Sequence, residues 1–97
     1  MNMLNIFKNK TKRREELQAQ LEEVQNSLTL ERTKVLILEG TEKRFNEEFS
    51  KSKEMKNKTF YKDCAKQIGD ILNISYNKIT ELEKAEKELK TKIKELE

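Results

Sequence analysis

The sequence of 97 residues contains no proline, no tryptophan and no histidine, and it has only two glycines and one cysteine. The residues that most often interrupt a helix are therefore almost absent. Because Cys64 is alone, no disulfide can form within the chain. The lack of histidine removes the commonest metal ligand and general base, and no glycine-rich phosphate loop or Cys/His metal spacing is present. We therefore expect no catalytic residues, metal site, cofactor or small-molecule substrate, and hence no enzyme.

Long apolar runs are also missing. No stretch approaches the roughly 20 apolar residues that a membrane-spanning helix needs. The run from Met3 to Phe7 is too short for a secretory signal, and its basic residues follow it instead of preceding it. We expect a cytoplasmic protein, with export by a route that uses no cleaved signal as the alternative.

Residues 1–10 form a short amphipathic and basic segment. Its apolar residues precede a basic cluster that runs from Lys8 to Arg14. This combination predicts either a frayed first turn that extends the apolar stripe of the following helix or an anchor on an anionic membrane surface. The apolar residues concerned are Met3, Leu4, Ile6 and Phe7.

Charged residues make up 40% of the chain, and they surround a regular apolar spacing. Mostly apolar residues recur at alternating intervals of four and three positions in two parts of the chain, and we call each of these series a seam. This spacing is typical of helices that pack along one stripe. The charged residues at seam positions, Glu31 and Glu42, are expected either to set register or to mark where the seam is open to water. The first seam is Leu17, Leu21, Val24, Leu28, Glu31, Val35, Leu38, Glu42, Phe45 and Phe49. The second seam is Ile68, Leu72, Ser75, Ile79, Leu82, Glu86, Leu89, Ile93 and Leu96.

The two seams predict one domain over residues 11–97, an all-α antiparallel hairpin of two coiled-coil-like helices. We place the helices at residues 12–50 and 59–97, with Thr11 and Thr59 as N-caps and a loop at 51–58. The seams differ in register by two residues, so a continuous helix through 51–58, the alternative, would have to rotate its apolar stripe. Folding the chain there brings Leu17 and Leu21 to the region of Leu89 and Ile93.

Six apolar residues near the middle of both helices lie outside the seams. Two helices bury one stripe each, so a second stripe implies a further partner, either a second copy in a helical bundle or a different protein. We predict a non-enzymatic protein with an adaptor, chaperone-like or inhibitory role that binds through these residues. The predicted contacts are Leu30, Leu36, Ile37, Ile71, Ile74 and Tyr76.

One local pattern suggests a different function. Gly69, Leu72, Asn73, Ile74, Ser75, Ile79 and Leu82 supply a small residue, a turn residue and buried apolar residues in the order of a helix-turn-helix motif. This segment of residues 69–82 resembles the motif of DNA-binding domains. The resemblance implies that Tyr76, Asn77, Lys78 and Thr80 face the major groove. The seam, in contrast, runs through Asn73 without a change of phase, as in a helix that does not turn.

The predicted loop is rich in lysine. Its positive charge predicts either a solvated hairpin tip or a contact with nucleic acid or an acidic protein. The lysines are Lys51, Lys53, Lys56, Lys58 and Lys62.

Overall fold

The computed structural model describes residues 3–97, with side chains described from Asn5 onward. The described chain consists of two α-helices, α1 (Met3–Lys51) and α2 (Met55–Glu95), without a strand. The helices run antiparallel and pack against each other along the two seams. The structure thus confirms the predicted all-α helical hairpin, because apolar spacing of four and three turns one stripe of each helix inward.

The hairpin divides into two compact units, and one of them combines α1 up to Thr29 with α2 from Thr80. Its core contains Leu17, Leu89 and Ile93, with Leu21, Val24 and Leu96 packed against them. The predicted meeting of the Leu17 and Leu89 regions is therefore confirmed. An ion pair joins the two helices near the chain end, with 3.0 Å between Arg14 Nη2 and Glu97 Oε1.

The other unit is Leu30–Ile79, which includes the turn. Its buried apolar residues are Val35, Ala65 and Leu72. Near the turn the two helices meet through aromatic rings, with 6.2 Å between the ring centroids of Phe45 and Tyr61. Two polar residues, Glu31 and Ser75, are buried there as well, so the seam of this unit is not purely apolar.

The turn is shorter than the predicted loop at 51–58. Only residues 52–54 lie between the helices, and residues 55–58 belong to α2. Ser52 stays hydrogen-bonded to the end of α1, its backbone N–H donating to the Glu48 carbonyl over 2.9 Å. The loop was predicted too long because residues 55–58 are mostly polar. They contain no proline or glycine, and methionine and lysine favour a helix, so a polar composition alone did not mark a loop. Thr59 is accordingly inside α2, where its hydroxyl donates to the Met55 carbonyl.

The first helix also begins earlier than predicted. α1 starts at Met3, so Thr11 lies inside the helix and not at its N-cap. Residues 5–16 are exposed, so this first part of α1 is not buried against α2. Over the described residues, neither helix is long and apolar enough to cross a membrane.

Candidate protein-interaction surface

All six predicted contact residues lie in the unit Leu30–Ile79, and all six are exposed. Their exposed fractions range from 42% for Ile71 and Tyr76 to 73% for Leu30. Large aliphatic side chains exposed to this extent in one small unit are typical of surfaces that bind another protein. The structure divides the six between two sides of the hairpin.

The first side is marked by two lysines that share one carboxylate. Lys34 Nζ, from α1, lies 3.9 Å from Glu31 Oε1, and Lys78 Nζ, from α2, lies 3.5 Å from Glu31 Oε2. Each lysine follows a buried seam residue of its own helix by three positions, Lys34 after Glu31 and Lys78 after Ser75. On antiparallel helices that face each other, this equal offset places both lysines on the same side of the seam. This side therefore carries residues from both helices.

Four of the exposed aliphatic side chains lie on the side of these lysines. Leu30 and Ile37 are one helical turn before and after Lys34, and Ile74 and Ile71 are one and two turns before Lys78. Residues three, four or seven apart share a helix face. We call this surface the apolar flank; its members are Leu30, Ile37, Ile71 and Ile74.

The remaining two residues, Leu36 and Tyr76, lie on the opposite flank. Tyr76 and Ile74 are the two neighbours of buried Ser75, and successive helical residues point about 100° apart, so they point to opposite sides. Leu36 and Lys34 are likewise the two neighbours of buried Val35, so they also point to opposite sides.

Tyr76 is also tied to polar neighbours on that opposite flank. Its hydroxyl donates a hydrogen bond of 2.6 Å to Glu39 Oε1. This hydrogen bond, together with burial and the negative charges of Glu39 and Glu42, raises the pKa of Tyr76. The opposite flank therefore differs in chemistry from the apolar flank, and sequence reasoning did not separate the two.

Glu31 and Ser75 form the polar centre beneath the apolar flank. The Ser75 hydroxyl, then the positive charges of Lys78 and Lys34, hold the pKa of Glu31 below its ordinary value, against the opposing effect of burial. The buried Ser75 oxygen makes no hydrogen bond of good geometry. It is nevertheless the largest of the influences that lower the pKa of Glu31, so the hydroxyl and the carboxylate are neighbours across the two helices.

Phe60 extends the apolar flank toward the turn, and sequence reasoning missed it. Its side chain is 59% exposed, although its ring packs edge-on against Tyr61 at 5.6 Å between centroids. The signal was present as a second spacing of four and three on α2, outside the seam. That stripe is Phe60, Cys64, Gln67, Ile71, Ile74 and Lys78.

The lysine-rich segment surrounds the turn, partly on α1 and partly on α2. Four of its lysines are exposed, whereas Lys58 is half-buried, with its Nζ 5.1 Å from the centroid of the Phe49 ring. Nucleic-acid contact by these residues stays a prediction. The exposed lysines are Lys51, Lys53, Lys56 and Lys62.

The segment that resembles a helix-turn-helix motif has no turn. α2 runs without interruption from Met55 to Glu95, through Asn73, and none of its described residues has a positive φ. Lys78 is held against Glu31 of the hairpin itself. The structural expectation from this resemblance is therefore wrong, because the seam phase is continuous and α2 is uninterrupted through residues 69–82.

The predicted membrane anchor is described in part. Ile6 and Phe7 are exposed on α1, whereas the side chains of Met3 and Leu4 lie outside the described residues. Arg14 of the basic cluster pairs with Glu97. Membrane attachment stays a prediction.

Residues 3–97 hold no group of three or more His, Cys, Asp or Glu side chains that could bind a metal ion.

Comparison with known proteins does not place this chain in a family. No family model matches it. Curated proteins and solved structures likewise give no match. The functional conclusion therefore depends on the residues of the chain alone.

Proposed function

We propose that this chain is a non-enzymatic protein-binding module that packs its apolar flank against helices of another chain. The observation that supports the proposal is the grouping of Leu30, Ile37, Ile71 and Ile74 on one flank, each between 42% and 73% exposed. Burying such side chains removes apolar surface from water at about 25 cal/mol per Å², a gain that the isolated hairpin does not make.

The mode of binding is the packing of helix on helix. Both helices contribute to the flank at intervals of three, four and seven residues, and a facing helix can insert its side chains between these anchors. The lysines beside the anchors add long aliphatic stems to the surface. This arrangement suits an adaptor, chaperone-like or inhibitory role in which binding itself is the activity.

A capture experiment with matched variants tests the proposal. The double variant Ile37→Glu with Ile74→Glu places two charges in the centre of the apolar flank, and Leu36→Glu places one on the opposite flank. We expect that a tagged wild-type chain and the Leu36→Glu variant retain the same stoichiometric partner, or untagged copies of the chain, from a nuclease-treated lysate. The double variant should lose that partner.

Folding of the variants is checked by circular dichroism, because all three substituted side chains are exposed and their replacement should leave the helices intact. Equal capture by the wild type and the double variant would contradict binding through the apolar flank. Loss of capture in Leu36→Glu alone would assign binding to the opposite flank and would also contradict the proposal.

A further inference from the structure

If the proposed function holds, the spacing of residues on the apolar flank also indicates which kind of chain covers it. We infer that a second copy of this chain covers the flank, related to the first by a two-fold axis perpendicular to the helices. In this arrangement α1 packs antiparallel on α1 of the second copy, and α2 packs antiparallel on α2. The inference rests on how residues of the unit Leu30–Ile79 are spaced along the flank.

A two-fold interface has to be self-complementary, because residue i of one copy contacts residue j of the other and j contacts i. The part of the α2 stripe from Gln67 to Lys78 meets this condition. Its spacing of four, three and four residues is the same in both directions, and so is its order of residue types, with two isoleucines between two polar residues. The four residues are Gln67, Ile71, Ile74 and Lys78. Its midpoint lies between residues 72 and 73.

The stripe on α1 meets the condition as well. Leu30 and Ile37 are seven residues apart, and their midpoint lies between residues 33 and 34. A two-fold axis at this point places Leu30 of one copy on Ile37 of the other, and the same contact is repeated on the other side of the axis. One axis serves both helices only if the two midpoints are at the same level of the hairpin.

Contacts between the helices show that the midpoints are level. Glu31 is two and a half residues before the α1 midpoint, and its neighbour on α2, Ser75, is two and a half residues after the α2 midpoint. Phe45 and Tyr61, whose rings meet, are each eleven and a half residues from the respective midpoints. Because the helices are antiparallel, a single axis therefore passes both midpoints.

The alternative two-fold axis, parallel to the helices, gives poorer contacts. It would place α1 on α2 of the second copy at the same level. Residues 30 and 34 would then be level with residues 76 and 72, so Leu30 would lie midway between Ile74 and Lys78, and Lys34 would lie nearest to Ile71. Such contacts bring a charge against an aliphatic side chain, which is unfavourable once water is excluded. The perpendicular axis instead pairs aliphatic with aliphatic at all four anchors.

The charges near the axis limit the strength of the association. Lys34 lies beside the α1 midpoint and so approaches Lys34 of the second copy, although each copy partly neutralises it through Glu31. Stable complexes bury at least about 1,200 Å² of total surface, and we expect an interface centred on only four aliphatic anchors to be small by that standard. We expect a reversible dimer that added salt strengthens, since salt screens the approach of the two lysines.

Cysteine cross-linking of the full chain tests the axis. In a Cys64→Ser background, Lys34→Cys places a thiol beside the axis, within reach of the same thiol of the second copy. Lys43→Cys, an exposed lysine one turn after Glu39 on the opposite flank, is the control. Under mild oxidation we expect a covalent dimer from Lys34→Cys and a chain that remains uncross-linked from Lys43→Cys. Sedimentation equilibrium of the reduced proteins should show the reversible dimer, weakened at least tenfold in Ile37→Glu with Ile74→Glu.

Each outcome separates the inference from the proposed function. A monomer at all concentrations in the micromolar range overturns the second copy, and the capture experiment then decides independently whether the flank binds another protein. A reversible dimer in which Lys34→Cys does not cross-link, or in which Lys43→Cys cross-links equally well, overturns the two-fold arrangement. Selective cross-linking at position 34, together with loss of the dimer in the double variant, supports it.

Discussion

Glu31 is a charged residue at a seam position, and its surroundings explain why it is tolerated there. Its carboxylate is buried between the helices but is close to the Ser75 hydroxyl and within 4 Å of two lysine ammonium groups. A buried charge with partners on the facing helix specifies register, because any slip of α1 along α2 would separate Glu31 from Ser75 and Lys78 and leave it only Lys34 of its own helix. Ser75 is the small residue on α2 that leaves room for it.

The lowered pKa of Glu31 makes stability depend on pH. The folded state favours the charged carboxylate, so this contribution is fully present above the pKa of the unfolded chain and is lost as the pH falls through the lower folded value. We expect stability to fall as carboxyl groups titrate, at about pH 5 to 3. Glu31→Gln should reduce that fall and should be less stable than the wild type at pH 7.

Urea denaturation at a series of pH values measures this effect. Glu47→Gln, which removes an exposed carboxylate on the same helix, is the matched control and should follow the wild-type curve closely. Ser75→Ala should move the pKa of Glu31 upward in an NMR titration, because the hydroxyl is the largest of the influences that lower it. Parallel curves for the wild type and Glu31→Gln would contradict this account.

The helices themselves contain one replaceable weak point. Gly40 lies within α1 without a positive φ, and a Cβ atom added there would meet no other atom within 4 Å. Glycine in a helix interior is less favourable than alanine by about 0.5–1 kcal/mol, because it loses more backbone freedom on folding. The position therefore has no packing requirement for glycine.

Gly40→Ala should therefore stabilise the chain by about 0.5–1 kcal/mol. For a domain of this size a gain of 1 kcal/mol raises the Tm by about 4–8 °C, which thermal denaturation followed by circular dichroism detects. Gly69→Ala is the control, since its Cβ would lie 3.1 Å from Glu42 Oε2 and that side chain would have to move. We expect a smaller gain there; a lower Tm for Gly40→Ala would show that the glycine is needed.

For the whole molecule, stability comes from a thin seam, because a two-helix hairpin buries one stripe of each helix. The buried apolar residues are few and small in total volume, and several larger apolar residues remain outside the seam. Each buried aliphatic residue therefore carries a large share of a net stability that is about 5–15 kcal/mol for native domains. The exposed ones contribute only when another chain covers them.

Two leucines that are two residues apart on α1 test this distinction. Leu28 is 1% exposed and Leu30 is 73% exposed. Leu28→Ala should destabilise the hairpin by about 2–5 kcal/mol, because it leaves a cavity in the seam. Leu30→Ala should change the stability of the dilute chain by no more than about 0.5 kcal/mol. Chemical denaturation at low protein concentration gives both values, and a similar loss for the two variants would refute the assignment of buried and exposed stripes.

The spacing of apolar residues predicted the hairpin and its seams correctly. Spacing of four and three brings residues to one stripe of a helix whatever surrounds them, so Leu17, Leu72 and Leu89 could be assigned to the interior from their positions alone. The helix ends were less well predicted. Methionine, lysine and asparagine occur both at helix ends and in helix interiors, so residues 55–58 carried no signal for where α2 begins.

The candidate surface was predicted as a set of residues but not as a surface. An apolar residue outside the seam is recognisable from the sequence, because two seams account for all the surface that two helices bury in each other. Spacing relates residues only within one helix, however, and it leaves open which side of α2 adjoins which side of α1. The contact of Glu31 with Lys78 and that of Glu39 with Tyr76 answer that question, because each joins α1 to α2 at one side of the seam. Helical periodicity thus established the fold, and contacts across the two helices grouped four aliphatic residues into one flank.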